Sequence, residues 1–263
     1  MSRFPVLFVS HGSPMTALEA GRAGAAWQRL AREVGKPRAV LIASAHWETG
    51  LPMVTGSARP ETIHDFGGFP DALYAIRYAA PGAPDVAAEA VAALKSAGIT
   101  AGIDGCRGLD HGAWVPLLHM FPDADVPVVQ LSVQPARGAE HHIALGRAIA
   151  PLSEQGVLIV GSGHATHNLR DWRMNASRPA ELRYVAEFSA WIASRLAASD
   201  DAALAAWKSE APDALRAHPT DEHFLPLLVA YGAAGERPQV ERVHQEVIDG
   251  ALAMDAYRFG RAA

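Results

Sequence analysis

Three short apolar runs that each stop near a histidine constrain this chain more than any other feature of its sequence. Val6-Leu7-Phe8-Val9 leads into Ser10-His11-Gly12-Ser13-Pro14, and Val40-Leu41-Ile42-Ala43 leads into Ser44-Ala45-His46-Trp47. Val157-Leu158-Ile159-Val160 leads into Gly161-Ser162-Gly163-His164-Ala165-Thr166-His167-Asn168. Continuous apolar runs of this length, bounded by small and turn-forming residues, read as strands covered on both faces, as in a parallel sheet flanked by helices.

The segments between them fit that frame. Helical spacing over 17–34 offers Leu18, Ala25, Trp27, Leu30 and Val34 as a core face, so residues 1–46 read as a βαβ unit. A Gly- and Pro-rich loop over 60–82 precedes a helix over 84–97 and a short strand near 99–103. Residues 105–112 read as a loop carrying His111, 126–132 as a strand, 138–154 as a helix, and 179–216 as helical with a break at 199–201. Thr220 is placed to cap a helix over 221–231, and the tail over 240–259 returns as one or two strands. The alternation predicts one three-layer α/β/α domain spanning 1–263 around a central, mostly parallel sheet. With 49% hydrophobic and 19% charged residues, the chain can fill such a core and is not globally disordered.

Composition removes several function classes. A net charge of −5 and no basic stripe argue against nucleic-acid binding. A single cysteine, Cys106, excludes an internal disulfide and a cysteine-based zinc site. No apolar stretch approaches membrane-spanning length and the N-terminus lacks a signal-peptide pattern, so a cytoplasmic location without membrane partners is expected. The Gly-x-Ser-x-Gly elbow fails because Val160 stands two before Ser162, and no Walker A, Gly-x-Gly-x-x-Gly or His-Glu-x-x-His pattern occurs.

What remains is histidine, 12 of them. Ligands of open α/β sheets gather outside the carboxyl ends of the strands, where His11, His46 and the His164/His167 pair all fall. Gly12, Ser13, Ser44, Gly161 and Gly163 would let a ligand approach the backbone there. His218, Glu222 and His223 form a further cluster, although Glu222 in the first turn of a helix also suits the helix dipole. His141 and His142 read as solvated on an Ala-rich helix, His119 as a partly buried structural residue, His64 as a loop residue, and His244 as without a role.

Ser10-His11-Gly12-Ser13-Pro14 and Ser44-Ala45-His46-Trp47-Glu48 resemble the N-terminal signature of the class III extradiol ring-cleavage dioxygenases, and more closely their DOPA 4,5-dioxygenase-like branch. Further matches are Asp65-Phe66-Gly67-Gly68-Phe69-Pro70, Gly108 to Trp114, Thr166-His167-Asn168-Leu169 and His218 to Pro226, in order along nearly the whole chain. The resemblance implies one divalent metal held by His11, His46 and a third ligand. That ligand is a glutamate in the wider superfamily and matches His223 here, with Glu222 as competitor. It implies His167 as the active-site base, His111 as a second active-site histidine, and a catechol and O2 as substrates. Fe(II) is the metal expected for turnover, and Zn(II) would also suit a three-histidine site. His164 has no counterpart in the resemblance. The alternative is a zinc-dependent hydrolase using metal-bound water on the same scaffold. Homo-oligomerisation is left open.

Overall fold

The computed structural model describes residues 4–175 and 182–260. Its strands are β1 (Val6–Ser10), β2 (Ala39–Glu48), β3 (Met53–Thr55), β4 (Gly102–Asp104), β5 (Val128–Val133), β6 (Val157–Gly163), β7 (Gln239–His244), β8 (Val247–Ile248), β9 (Leu252–Ala253) and β10 (Ala256–Gly260). Its helices are α1 (Gly21–Val34), α2 (Asp71–Ala75), α3 (Pro84–Ser96), α4 (His111–Met120), α5 (Gly138–Ile149), α6 (Leu169–Asn175), α7 (Arg183–Ala198), α8 (Asp201–Ala205), α9 (Trp207–Glu210), α10 (Ala214–Ala217) and α11 (Leu225–Ala233).

The main sheet runs β4-β3-β5-β2-β6-β1-β10-β7. Its centre, β5-β2-β6-β1, is parallel throughout, and β10 and β7 extend it with antiparallel pairings. Side chains alternate across each strand. Leu7 and Val9, Val40 and Ile42, and Leu158 and Val160 enter one core with Trp27 and Leu30 of α1 and Trp114 and Leu117 of α4. Phe8, Leu41 and Ile159 enter the opposite core with residues of α3, α5, α7 and α11. The result is the expected α/β class with helices on both faces of a mostly parallel sheet.

That parity also aims the site. Continuing the alternation past Val9, Ile42 and Val160 puts His11, Ser44, His46 and Ser162 on the α1/α4 face, at the carboxyl ends of β1, β2 and β6. The parallel pairings set Ser162 opposite both Val9 and Ser44, so the three strand ends stand level.

Several local expectations change. β2 continues through His46 rather than stopping before it. Leu18 precedes α1 and is exposed, and Ala25 faces solvent while Ala23, Ala26, Trp27 and Leu30 are buried. His111 opens α4 instead of riding a loop, because Asp110 caps that helix by accepting from the Ala113 N–H. The helix expected over 221–231 starts at Leu225, where Pro226 fits its first turn, and Thr220 donates to Glu222 Oε1 rather than capping. The tail forms four short strands. His142 is buried, not solvated: the Gln134 N–H donates to its Nε2 at 3.0 Å and its Nδ1 lies 2.6 Å from Gly138 O. The described part of the 179–216 stretch comprises α7 to α10, and residues 179–181 lie outside the described residues.

Candidate metal centre

His11, His46 and His223 meet through their Nε2 atoms. His46 Nε2 lies 3.1 Å from His11 Nε2 and 3.2 Å from His223 Nε2. His11 and His46 arrive from β1 and β2. His223 comes from the opposite layer, on the turn that leads into α11 and passes over the end of β6. There the His164 N–H donates to His223 O at 2.8 Å, and a Cβ on Gly163 would stand 2.1 Å from that same oxygen. Only glycine permits so close a backbone approach.

The outer nitrogen of each ring faces an oxygen. His11 Nδ1 lies 3.1 Å from Ser162 Oγ, His46 Nδ1 lies 3.3 Å from Asp65 Oδ2, and His223 Nδ1 lies 2.9 Å from Glu222 Oε1. Ser162 donates its own hydrogen to Gly112 O, leaving its oxygen free to accept from His11. Carboxylates only accept. Each neutral ring therefore carries its proton on Nδ1, and three Nε2 lone pairs point at one another. Without a cation that arrangement is repulsive. Two donor nitrogens at about 2.1 Å from one metal, at right to tetrahedral angles, sit about 3.0 to 3.4 Å apart, which matches the spacings here. The trio fits a single divalent metal, and the oxygen partners are the usual means of fixing tautomer and ring direction. Glu222 stands at the outer nitrogen of His223, away from the shared point.

Burial keeps these rings neutral. Desolvation, then the neighbouring His46 imidazole, holds His11 well below the ordinary histidine range, and His223 is lowered by burial and His167. His46 is pulled down to about 3 by burial and His111, against the opposing pull of Asp65. At neutral pH the lone pairs are available to a metal without prior loss of protons.

The other predicted residues crowd the same place. The His167 ring stacks on His223 with centroids 3.5 Å apart and planes 12° off parallel, and the His167 backbone N–H donates to Ala217 O at 2.8 Å. Burial, then His111, lowers its pKa to about 4. His111 lies against His46, with centroids 3.9 Å apart. His164, which has no counterpart in the resemblance, is also part of the cluster: it is buried, its ring is 5.0 Å from that of His11, and its Nε2 accepts the Gly12 N–H at 3.0 Å. His218 does not join the trio. Its Nε2 donates to Ala165 O (3.0 Å) and its ring packs among Phe188, Trp207 and Phe224.

Two carboxylates had drawn no role from the sequence. Asp65 receives His111 through both its backbone N–H and its Nδ1, each at 2.9 Å. Burial would raise Asp65, but the hydrogen bond and charge of His111 outweigh it and bring the carboxyl down to about 2. Asp110 is buried under the site and takes bonds from Ser44 Oγ (2.7 Å), Arg107 (3.2 Å) and Gln130. Apart from the Arg107–Asp110 pair, three residues apart, these bonds join segments far apart in the chain and have no spacing that sequence could reveal.

Buried imidazoles with inward lone pairs, set at the carboxyl edge of a parallel sheet, are the build of a mononuclear metal-dependent enzyme. The family described as the catalytic LigB subunit of aromatic ring-opening dioxygenase matches residues 5–260, and the chain belongs to that family. It is 41% identical over 259 residues to a protein of Beta vulgaris named 4,5-DOPA dioxygenase extradiol, covering 96% of this chain and 95% of that one. A protein of the same name from Escherichia coli (strain K12) is 36% identical over 264 residues, covering 98% and 96%. A crystal structure of an uncharacterized Escherichia coli K12 protein superposes with a TM-score of 0.82 at 31% identity, covering 98% of this chain and all of that one. The protein is an extradiol aromatic ring-opening dioxygenase of a metal-dependent family. The zinc-hydrolase alternative draws no support from these similarities. Among the described residues, no helix is long and apolar enough to cross a membrane.

Proposed function

We propose that the chain opens the ring of a catechol with O2 using Fe(II) held by His11, His46 and His223, with His167 and His111 handling protons. The observation that carries this is the convergence of the three Nε2 lone pairs, each ring fixed from behind by an oxygen. DOPA is the substrate suggested by the names of the relatives, and other catechols share its reactive diol. Bound iron would supply the redox chemistry joining diol and O2, which zinc lacks.

The chain's own groups account for the proton steps. A catechol must shed a proton to chelate through both oxygens, and a neutral imidazole beside the ligands can take it. His167, held neutral and stacked on His223, is such a group. His111 donates through Nδ1 to Asp65, so its Nε2 is the free acceptor. A lone exposed thiol at Cys106 suits a reducing, cytoplasmic setting.

The test is to load apoprotein anaerobically with Fe(II) or Zn(II), add DOPA or other catechols, and admit air. Oxygen uptake and a yellow ring-fission product are expected with iron alone, and turnover with zinc or without O2 would overturn the reading. His167→Ala is expected to keep its iron and lose kcat on the order of 10² to 10⁴-fold. Unchanged turnover in that variant would remove His167 from the mechanism.

A further inference from the structure

We infer that Asp65 is a positioning residue that couples the ligand His46 to His111, accepting from His111 and standing in ion-pair contact with His46 through the same oxygen. This rests on the ligand and proton-handling roles proposed above. Asp65 Oδ2 lies 2.9 Å from His111 Nδ1 and 3.3 Å from His46 Nδ1, while Oδ1 accepts the His111 backbone N–H at 2.9 Å. One carboxylate thus accepts both N–H groups of His111 in the first turn of α4 and holds its charge beside the His46 ring of β2.

The loop carrying Asp65 is itself held. The Ile63 N–H donates to Leu109 O at 2.7 Å, and Trp114 Nε1 donates to Ile63 O at 2.9 Å. Both anchors fall two residues before Asp65 and at or beside α4, so carboxylate and His111 are fixed in one frame. The neighbouring Asp110 cannot substitute, because Ser44, Gln130 and Arg107 occupy it.

A carboxylate has no proton to give, so its hydrogen bond fixes His111 as the Nδ1–H tautomer, and its charge beside His46 Nδ1 favours the same tautomer there. The consequence differs for each ring. In His46 it commits the Nε2 lone pair to the metal. In His111 it leaves Nε2 as the acceptor facing away from the carboxylate. Asparagine has nearly the same shape but only one accepting oxygen. With its oxygen on the His111 backbone N–H, its NH2 faces the two Nδ1 atoms and can be accepted only by a ring that moves its proton to Nε2, the tautomer opposite to the one the carboxylate selects.

The experiment uses the full chain with Asp65→Asn, His111→Ala and the double variant. Dissociation constants for Co(II) and Zn(II) are measured against a chelating dye, the Co(II) absorption bands are recorded, and kcat and KM are measured with Fe(II). Asp65→Asn is expected to weaken metal binding roughly 10- to 100-fold and shift the Co(II) bands, the range seen when a ligand's supporting partner is lost. Its kcat is expected to fall on the order of 10²-fold, with KM changed by less than about threefold. In the His111→Ala background, Asp65→Asn should cost little further kcat but the same loss of metal affinity, because the His46 arm persists. Parent-like metal affinity in Asp65→Asn, or a kcat loss as large with His111 absent as with it present, would overturn the inference. If the parent itself binds neither metal, the proposed function fails first. If the parent binds and Asp65→Asn matches it, only the role of Asp65 fails.

Discussion

His223→Ala is expected to strip the metal from the centre, whereas Glu222→Ala is expected only to loosen it. The two residues are adjacent, and either could be named third ligand from sequence. Their geometry differs. His223 turns Nε2 to within 3.2 Å of His46 Nε2, and Glu222 Oε1 lies 2.9 Å behind the same ring at Nδ1. Removing one of three nitrogen donors should cost about 3 to 4 kcal/mol of metal binding, a weakening of roughly 10² to 10³-fold, if a site's affinity is shared among its ligands. Removing Glu222 leaves the donor but frees its ring, an effect of roughly 10- to 100-fold. Metal content after dialysis against a chelator of fixed strength, followed by direct dissociation constants, separates them. Activity alone does not, because His223 also carries the stacked ring of His167. Equal metal loss in the two variants, or a larger loss in Glu222→Ala, would sink the three-histidine centre.

What sequence revealed of this site follows from how strands deliver side chains. Apolar runs named β1, β2 and β6, and the two-residue period of a strand carried His11, His46 and Ser162 to one face of one edge. Nothing periodic describes the loop around Asp65, whose partner His111 is 46 residues away. Thr220 resembles a cap in sequence, but its hydroxyl bonds Glu222, and α11 begins later, with Pro226 in its first turn. His142 shows the reverse error. An Ala-rich amphipathic helix suggested a solvated ring, yet partners at Gln134 and Gly138 satisfy both nitrogens and let it be buried. Histidine identity marks a candidate, and only the packing of distant segments decides between ligand, base and structural pin.

Gly163→Ala is expected to damage the centre without touching any ligand. A Cβ at Gly163 would stand 2.1 Å from His223 O, and one at Gly161 would stand 2.1 Å from Pro226 O, so β6 and the start of α11 meet backbone to backbone. Neither obstacle is a flexible side-chain tip. The turn must retreat, which strains the bond from the His164 N–H to His223 O and draws His223 Nε2 away from His46. Overpacking of this kind costs about 1 to 3 kcal/mol, or roughly 2 to 12 °C in Tm for a chain of this size. Because the shift acts on a ligand, metal affinity should fall at least about tenfold, the lower end of what misdirecting a ligand costs. Gly50→Ala is the matching control, since a Cβ there meets nothing within 4 Å. Calorimetry of the apoprotein and metal titration of both variants read the two effects separately. A Gly163→Ala protein that melts and binds metal like the parent would mean that the contact between β6 and the turn before α11 does not set the third ligand. The loss of both, with Gly50→Ala unchanged, would make a backbone contact with no side chain in it a determinant of the metal site.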